Sequence, residues 1–548
     1  MYETVKLPEH PGPRVSGLRG HASRAGGVAG SPSGADAQTE TPYLSAVQRL
    51  AESQPLQVMV PGHSGTSDRG GDHLSEVYGD RVVRYDVPLM LEGIDLGDDS
   101  PLNESLALAA QAWGARRVWW LTNGASQGNR TAALAVRGIG ERVLMQRSSH
   151  SSFTDGVLLA GLIPAFVSPN VDQRHGIAHG LTPEALEAAL AQERDAGRPV
   201  DSVYVVSPSY FGSTADVAGL SRVAHAHDAV LIVDGAWGAH FGFHPELPES
   251  PARLGADLVI SSTHKLAGSL TQSAMLQLGD GPFAERLEPL IKRAYTLTAS
   301  TSASSVLMGS LDAARRALVT GEAKIGHAIR LAAEFRERLR ADDRFAVISD
   351  GFGAYPDIVA TDPLRVPIDV SGLGQSGHWV RDRLISEHRV FFEMSTATSV
   401  VAVIGALSSP DLDRLMDALG AVADEADRLR AAQGTGDPGS APQEIARQTE
   451  FPRLPDPGTL RMLPRAAFFG ESELVSAEEA IGRLSSDTLA AYPPGIPNLI
   501  PGEEITEETV SFLQAVAASP TGFVRGAADP RLTSFRVVRD PVTASQAG

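Results

Sequence analysis

Between about residue 115 and residue 280 the chain alternates short apolar runs with amphipathic stretches, a pattern that few folds accommodate. The strand candidates are RRVWWLT, RVLMQR, SVYVVS, AVLIVD and DLVISS. Their nearly continuous apolar character suits strands covered on both faces, and helical stretches between them mark βα units around a mainly parallel sheet. Several runs end in polar residues where such a sheet opens its ligand crevice, at the carboxyl ends of the strands.

The rest of the chain frames this α/β unit. With 548 residues, two to four domains are expected. Residues 1–42 include GLRGHASRAGGVAGSPSGADAQTE, which has almost no large side chain to bury and reads as a disordered leader. A helical pattern then starts at TPYLSAVQRLAE, with Thr41 as its N-cap. We expect an N-terminal segment and large domain over 43–310 and a smaller α/β domain over 311–430. A Gly/Pro/Ser-rich linker over 431–445 and a C-terminal α+β domain over 446–548 follow. The last residues, ADPRLTSFRVVRDPVTASQAG, give little structural signal.

Charge and composition exclude several functions. Acidic residues outnumber basic ones, 66 to 47, and the net charge of −19 disfavours nucleic acid or an anionic membrane as partner. Without cysteine the chain can form neither disulfides nor a thiolate metal site, and no metal is expected. No apolar run approaches the roughly 20 residues of a membrane span, and the N-terminus lacks the order of a secretory signal. These features suit the cytoplasm.

Chemistry-bearing residues gather at the strand ends. Lys265, in DLVISSTHKLAG, follows a strand directly, although a lone lysine there is usually a surface residue. Asp234 closes AVLIVD; if buried it needs a partner, because an unpaired charge in low dielectric costs several kcal/mol. A protonated pyridine nitrogen would serve, and so would a loop or helix to cap. Gly124, Ala125 and Ser126 open a helix after LTN, where free amides and the helix dipole favour a phosphate. Ser262 and His264 could close that cup from the other side. His150 in RSSHSSF either lies flat on a cofactor ring or is a structural hydrogen-bonder, and Ser209 is the better candidate within SPSYFG. A phosphate turn, a stacking histidine, a strand-end aspartate and a lysine 31 positions later form the order required by a fold type I enzyme of pyridoxal phosphate (PLP).

PGHSGT, AAQAWGARRVWWLTNGASQGN, RSSHSS, SPSYFG, VDGAWGAH, STHK, STSASSVLMGSLDAAR and YPPGIPNLIPGE together resemble the Orn/Lys/Arg decarboxylase family, in that family's order, over roughly residues 43–515. The resemblance implies an aspartate aminotransferase-like large domain with PLP held on Lys265. Asp234 would pair with the pyridine nitrogen and His150 would stack on the ring. Gly124, Ala125, Ser126, Ser209, Ala236, Ser262 and His264 would complete the cofactor pocket. Glu393, Trp237 and His63 would face the substrate. The implied reaction is that of a carbon–carbon lyase. Arginine, lysine or ornithine loses CO2 to give an amine, as in polyamine formation, with His264 or Lys265 returning a proton. A homodimer or larger homo-oligomer with shared active sites is implied as well.

Departures from the family pattern cluster near this site. Ser64 replaces a lysine, Gly235 an acid, Trp237 a histidine, and Ala303 and Ser305 a proline and a tyrosine. The cofactor grip is intact, so the altered surroundings leave open a transamination, an elimination, an oxidative variant or a non-catalytic PLP-binding homologue.

Overall fold

The computed structural model describes residues 37–65, 73–433, 455, 457–492, 495–518 and 522–539. Residues 1–36 of the expected leader and residues 434–445 of the expected linker lie outside this set. Residues 37–42, placed in the leader by sequence, are anchored. Gln38 donates to Leu108 O (3.0 Å) and accepts Arg315 Nη1 at Oε1 (2.9 Å) and at its carbonyl (2.8 Å). Arg315 in turn pairs with buried Asp312, whose Oδ2 also accepts from Ser105 Oγ and Leu44 N. Thr41 stands at the N-cap of the helix Pro42–Glu52, but its hydroxyl meets Ser45 Oγ and caps no backbone N–H.

The five expected strands form within a seven-stranded sheet: β1 Arg117–Leu121, β2 Arg142–Gln146, β3 Ile163–Val167, β4 Ser202–Val206, β5 Val230–Asp234, β6 Leu258–Ser261 and β7 Ala274–Leu278. Their spatial order is β1-β7-β6-β5-β4-β2-β3. All neighbours run parallel except β7, which is antiparallel to both β1 and β6. The two strands absent from the expectation explain themselves. β3 (IPAFV) carries Pro164, which an edge strand tolerates. β7 (AMLQL) is interrupted by Gln277, whose buried amide finds Ser261 Oγ at 3.0 Å.

Both faces of the sheet are covered, as its apolar strands require. On one face Leu121, Val143, Met145, Tyr204, Ile232 and Ile260 pack against the helices Gly124–Val136, Ser151–Ala160 and Ala284–Thr298. On the other, Leu144, Val203, Val205, Leu231 and Val259 pack with Leu186, Leu190 and Leu220. Alternate residues of β4 thus serve opposite faces, the period of two that a strand imposes.

Beyond the helix Ser305–Val319 a four-stranded sheet follows, antiparallel throughout, with the helices Glu322–Arg340, Gly377–His388 and Leu412–Gln433 beside it. The C-terminal part has its own core around Leu499, Leu513, Phe535 and Val537. Ser534–Val538, in the tail that gave little signal, is a strand paired with Ser472–Ser476.

Candidate functional site

The strand register builds the site. Val206 pairs with Asp234 and Asp234 with Ile260, so β4, β5 and β6 end side by side. Lys265 follows β6 on the single turn Thr263–Leu266, His150 follows β2 at the N-cap of the helix Ser151–Ala160, and β1 leads into the helix Gly124–Val136. The crevice expected at the carboxyl ends is therefore lined by segments far apart in sequence.

Asp234 is buried and hydrogen-bonded by neutral donors: Tyr204 OH at 2.6 Å and Asn129 Nδ2 at 3.1 Å on Oδ2, and the Ala236 N–H at 3.1 Å on Oδ1. Among the described residues no cation is in salt-bridge contact with it. Burial and the Asp234 charge hold the Tyr204 phenol well above its ordinary range, so it stays a donor. Phe153 stacks on Tyr204 at 3.6 Å between ring centroids and fixes its plane. Asn129 gives its amide to both Asp234 and Ser152 Oγ (2.9 Å), and Ser152 Oγ lies 2.8 Å from His150 Nδ1. One chain of hydrogen bonds therefore ties His150 to Asp234. His150 Nδ1 also accepts the Ser152 N–H as a helix cap, so the structural role open to it in the sequence is filled too. Burial lowers His150 to about 4, Lys265 adding to the effect and Asp234 opposing it, which makes it neutral at physiological pH.

Lys265 is partly buried, and its Nζ lies 3.6 Å from the centre of the Trp237 ring. The Arg365 guanidinium lies 3.8 Å from the same ring. Desolvation lowers Lys265 to about 8, Asp234 and Glu393 pulling it up and Arg365 pushing it down. Arg365 is fully buried and itself lowered to about 10, first by burial. It donates to Tyr210 O, while its Nε and Nη2 have no hydrogen-bond partner among the described residues. Asp362 supports it through its charge and is paired with His240 at 3.1 Å, both side chains being fully buried. Glu393 is exposed at the rim, near enough for its charge to act on Lys265, His264 and Arg365.

At the other end of the crevice, Gly124 takes φ +69° at the start of its helix. Its N–H is committed to Gln272 O (2.8 Å), which leaves the amides of Ala125 and Ser126 as the helix's outward donors. Gly128 on the same helix lies so close to Leu121 and Ile260 that a Cβ would sit 2.9 Å from each. Ser262 is buried and its N–H bonds Ala236 O, which joins the ends of β5 and β6. His264 Nδ1 is engaged by Ser273 O at 2.8 Å, and burial lowers its pKa. The Ser209 hydroxyl serves its own turn, 2.6 Å from Ser213 Oγ and accepting from the Phe211 and Ser213 N–H groups. His63 pairs with Asp86 (3.3 Å) and caps Gly65 N (3.0 Å). Among the described residues these contacts do not bring it to Lys265. Ser305, another altered position, ties the Tyr85–Val87 segment through Tyr85 O and Val87 N.

The geometry suits a flat ring carrying a protonatable nitrogen and an anionic arm. A carboxylate offers about four acceptor sites, and three neutral donors leave Asp234 with capacity and an unbalanced charge. An amine with a lowered pKa faces the same crevice, and a helix N-terminus marks its far end. Asn129, Tyr204 and Arg365 belong to this arrangement and were not singled out in the sequence. Among the described residues no group of three or more His, Asp or Glu is placed to hold a metal, and no helix is long and apolar enough to cross a membrane.

Comparison with known proteins agrees with the geometry. The pattern of the Orn/Lys/Arg decarboxylase major domain matches residues 41–362, and that of the C-terminal domain residues 456–523. The arginine decarboxylase of Bacillus subtilis (strain 168) is 31% identical over 510 residues, covering 92% of this chain and 99% of its own. That of Halalkalibacterium halodurans is 33% identical over 519 residues, covering 92% and 98%. Among solved structures, the lysine decarboxylase of Francisella novicida is similar in fold with a TM-score of 0.76 at 20% identity, over 92% of this chain and 82% of its own. Lysine decarboxylase A from Pseudomonas aeruginosa gives 0.77 at 21% identity, over 92% and 81%.

Proposed function

The chain belongs to the Orn/Lys/Arg decarboxylase family, and on that premise we propose that it removes CO2 from arginine with PLP held at Lys265. That it decarboxylates a basic amino acid follows from the family and its relatives. Arginine is chosen because relatives named arginine decarboxylases share 30–33% identity over 85–92% of the chain, against 21–24% for those named lysine decarboxylases. The observation that carries the cofactor assignment is the buried Asp234 carboxylate, without a bonded cation among the described residues, in the same crevice as a lysine lowered to about 8.

In this reading Lys265 would tether the cofactor, Asp234 would pair with its ring nitrogen and His150 would lie against the ring. Ala125 and Ser126 present amides to its phosphate, with Ser262 and His264 on the other side. Gly124, Ala236 and Ser209 shape the surrounding backbone. PLP, when bound, supplies the electron sink for the pair left behind as CO2 departs. The protein would supply orientation, fixing which bond at the substrate's α-carbon is placed to break. Trp237 covers the region over which Lys265 moves and keeps water out, while its ring holds cations at its face. Glu393 at the rim draws in the cationic side chain of the substrate, and Lys265 or His264 returns the proton to the α-carbon. A second copy is proposed to cover the segment where Leu56, Val58 and Val60 stand exposed, forming a homodimer that shares its active sites. A cytoplasmic location goes with this reading, since a chain without cysteine gains nothing from an oxidising compartment.

Mass spectrometry of products after separate incubation with arginine, lysine and ornithine tests the assignment. The amine formed by loss of CO2 from arginine is expected to dominate. A keto, dehydrated or oxygenated product would show instead that Trp237, in place of the family histidine, has redirected the chemistry. The lysine makes a second prediction. Protein stripped of cofactor is expected to take up PLP faster as pH rises through about 8, where Lys265 loses its proton, as read by the growth of cofactor absorbance. A midpoint near the ordinary lysine value of 10.5 would mean that Lys265 is not desolvated as described.

A further inference from the structure

The loop that carries His150 is held from outside its own domain. Three residues before it, Arg147 reaches the C-terminal part of the chain, with Nη1 on Pro497 O (2.7 Å) and Nη2 on both oxygens of Glu503 (3.1 and 3.0 Å). Glu503 is only 1% exposed, and its Oε2 also accepts the Ile500 N–H at 2.9 Å. Directly after His150, the Ser151 N–H donates to Gly495 O (3.1 Å), and Arg525 donates to Ser151 Oγ and to Asp155 Oδ2 (3.1 Å). At the far end of the helix Ser151–Ala160, Arg465 donates to Leu158 O (3.0 Å) and Leu159 O (2.6 Å). The segment is thus gripped before His150, just after it and at the end of the helix it caps.

Two features make this more than ordinary domain packing. The grip is polar and directional, with guanidinium forks on carboxylate and carbonyl groups, so it fixes position as well as proximity. It also closes on the residue that the Asn129–Ser152 bridge connects to Asp234. A shift of the loop would move the His150 ring and strain the support of the Asp234 carboxylate together.

We propose that the C-terminal domain acts as a positioning device for His150, with Glu503 and Arg525 as positioning residues that set the plane of the ring against the cofactor. The assignment of PLP to the crevice is the reading on which the catalytic part of this proposal rests. Arg525 is the better site to perturb, because its side chain is 38% exposed and its loss leaves no deeply buried charge unpaired. Glu503 is paired and buried, and its neutral replacement leaves Arg147 without its counter-charge.

Hydrogen–deuterium exchange of the segment containing residues 147–153, in cofactor-free full-length protein, is the first readout. Arg525→Ala and Glu503→Gln should each raise exchange there, whereas Arg525→Lys, which keeps a donor in reach of Ser151, should restore much of the protection. In cofactor-loaded protein the same two variants should lower kcat roughly 10- to 100-fold, the scale on which small misplacements are felt, with a smaller change in KM and an altered visible circular dichroism of the bound cofactor. Unchanged exchange in both variants overturns the clamp. Raised exchange with unchanged kcat and dichroism reduces it to a structural contact and overturns the positioning role. Because the exchange measurement needs no cofactor, it decides the clamp even if the wild type binds no PLP, an outcome that would sink the functional reading separately.

Discussion

Replacing Lys265 by alanine is expected to slow CO2 release by about 10⁴-fold or more, the scale on which removal of a covalent-catalysis group is felt, while leaving the fold intact. The structural part of the argument is that Lys265 holds little together. Among the described residues it makes no salt bridge, and its Nζ contact is the face of Trp237 at 3.6 Å, worth about 0.5–2 kcal/mol. The chemical part is its environment. Burial lowers the amine to about 8, so an appreciable fraction is neutral and nucleophilic near physiological pH, which an exposed lysine is not. Lys265→Arg should be as inactive as the alanine variant, since it keeps a cation but offers no amine that can be deprotonated. Single-turnover assays with quantified cofactor content check both. If either variant kept a tenth of the wild-type rate, Lys265 would not be the tether.

Asp234→Asn is expected to lower kcat roughly 100- to 1000-fold, the range seen when one preorganised electrostatic partner is removed, and to weaken retention of the cofactor on dialysis. The carboxylate accepts from Tyr204, Asn129 and Ala236, none of them charged. An asparagine keeps one acceptor oxygen, so either the Ala236 N–H or the Tyr204–Asn129 pair loses its partner, a destabilisation of about 1–3 kcal/mol. It also cannot hold a ring nitrogen in its protonated form. Thermal unfolding with and without PLP separates the two effects, because the protein alone should lose only the smaller amount. A variant that bound and turned over like the wild type would remove Asp234 from the cofactor site.

What could be read from the sequence divides along a physical line. Lys265, Asp234 and His150 each end or follow an apolar run that reads as a strand, and the carboxyl end of a parallel strand is where ligands bind, so position made them candidates and their order along the chain, with the family resemblance, singled them out. Asn129 and Tyr204 lack that flag. Tyr204 sits inside SVYVVS, where an aromatic residue is ordinary strand composition, and Asn129 sits inside a helix whose buried face the pattern does not distinguish. Arg365 did carry a signal, a charge inside the strand Arg365–Asp369 three residues after Asp362, because a charge in an apolar strand must find a partner. β3 and β7 were obscured by Pro164 and Gln277, whose tolerance depends on an edge position and on Ser261, neither of which one segment reveals. The link from Arg147 to Glu503 spans 356 positions, and no local pattern records it.

The antiparallel strand between β1 and β6 also sets a clock. Leu121 pairs with Ala274, so the first strand of the sheet to leave the ribosome must wait for one of the last. At roughly 5–20 residues per second that delay is about 8–30 s, during which VWWL has no strand partner. The helix that starts at Gly124 rests on Leu121 and Ile260 together, so its N-terminus has no fixed seat until β7 closes the gap. Until then the nascent chain presents an apolar ribbon to chaperones rather than half of an enzyme. Slower translation through residues 122–274 would lengthen that exposure without changing a single native contact.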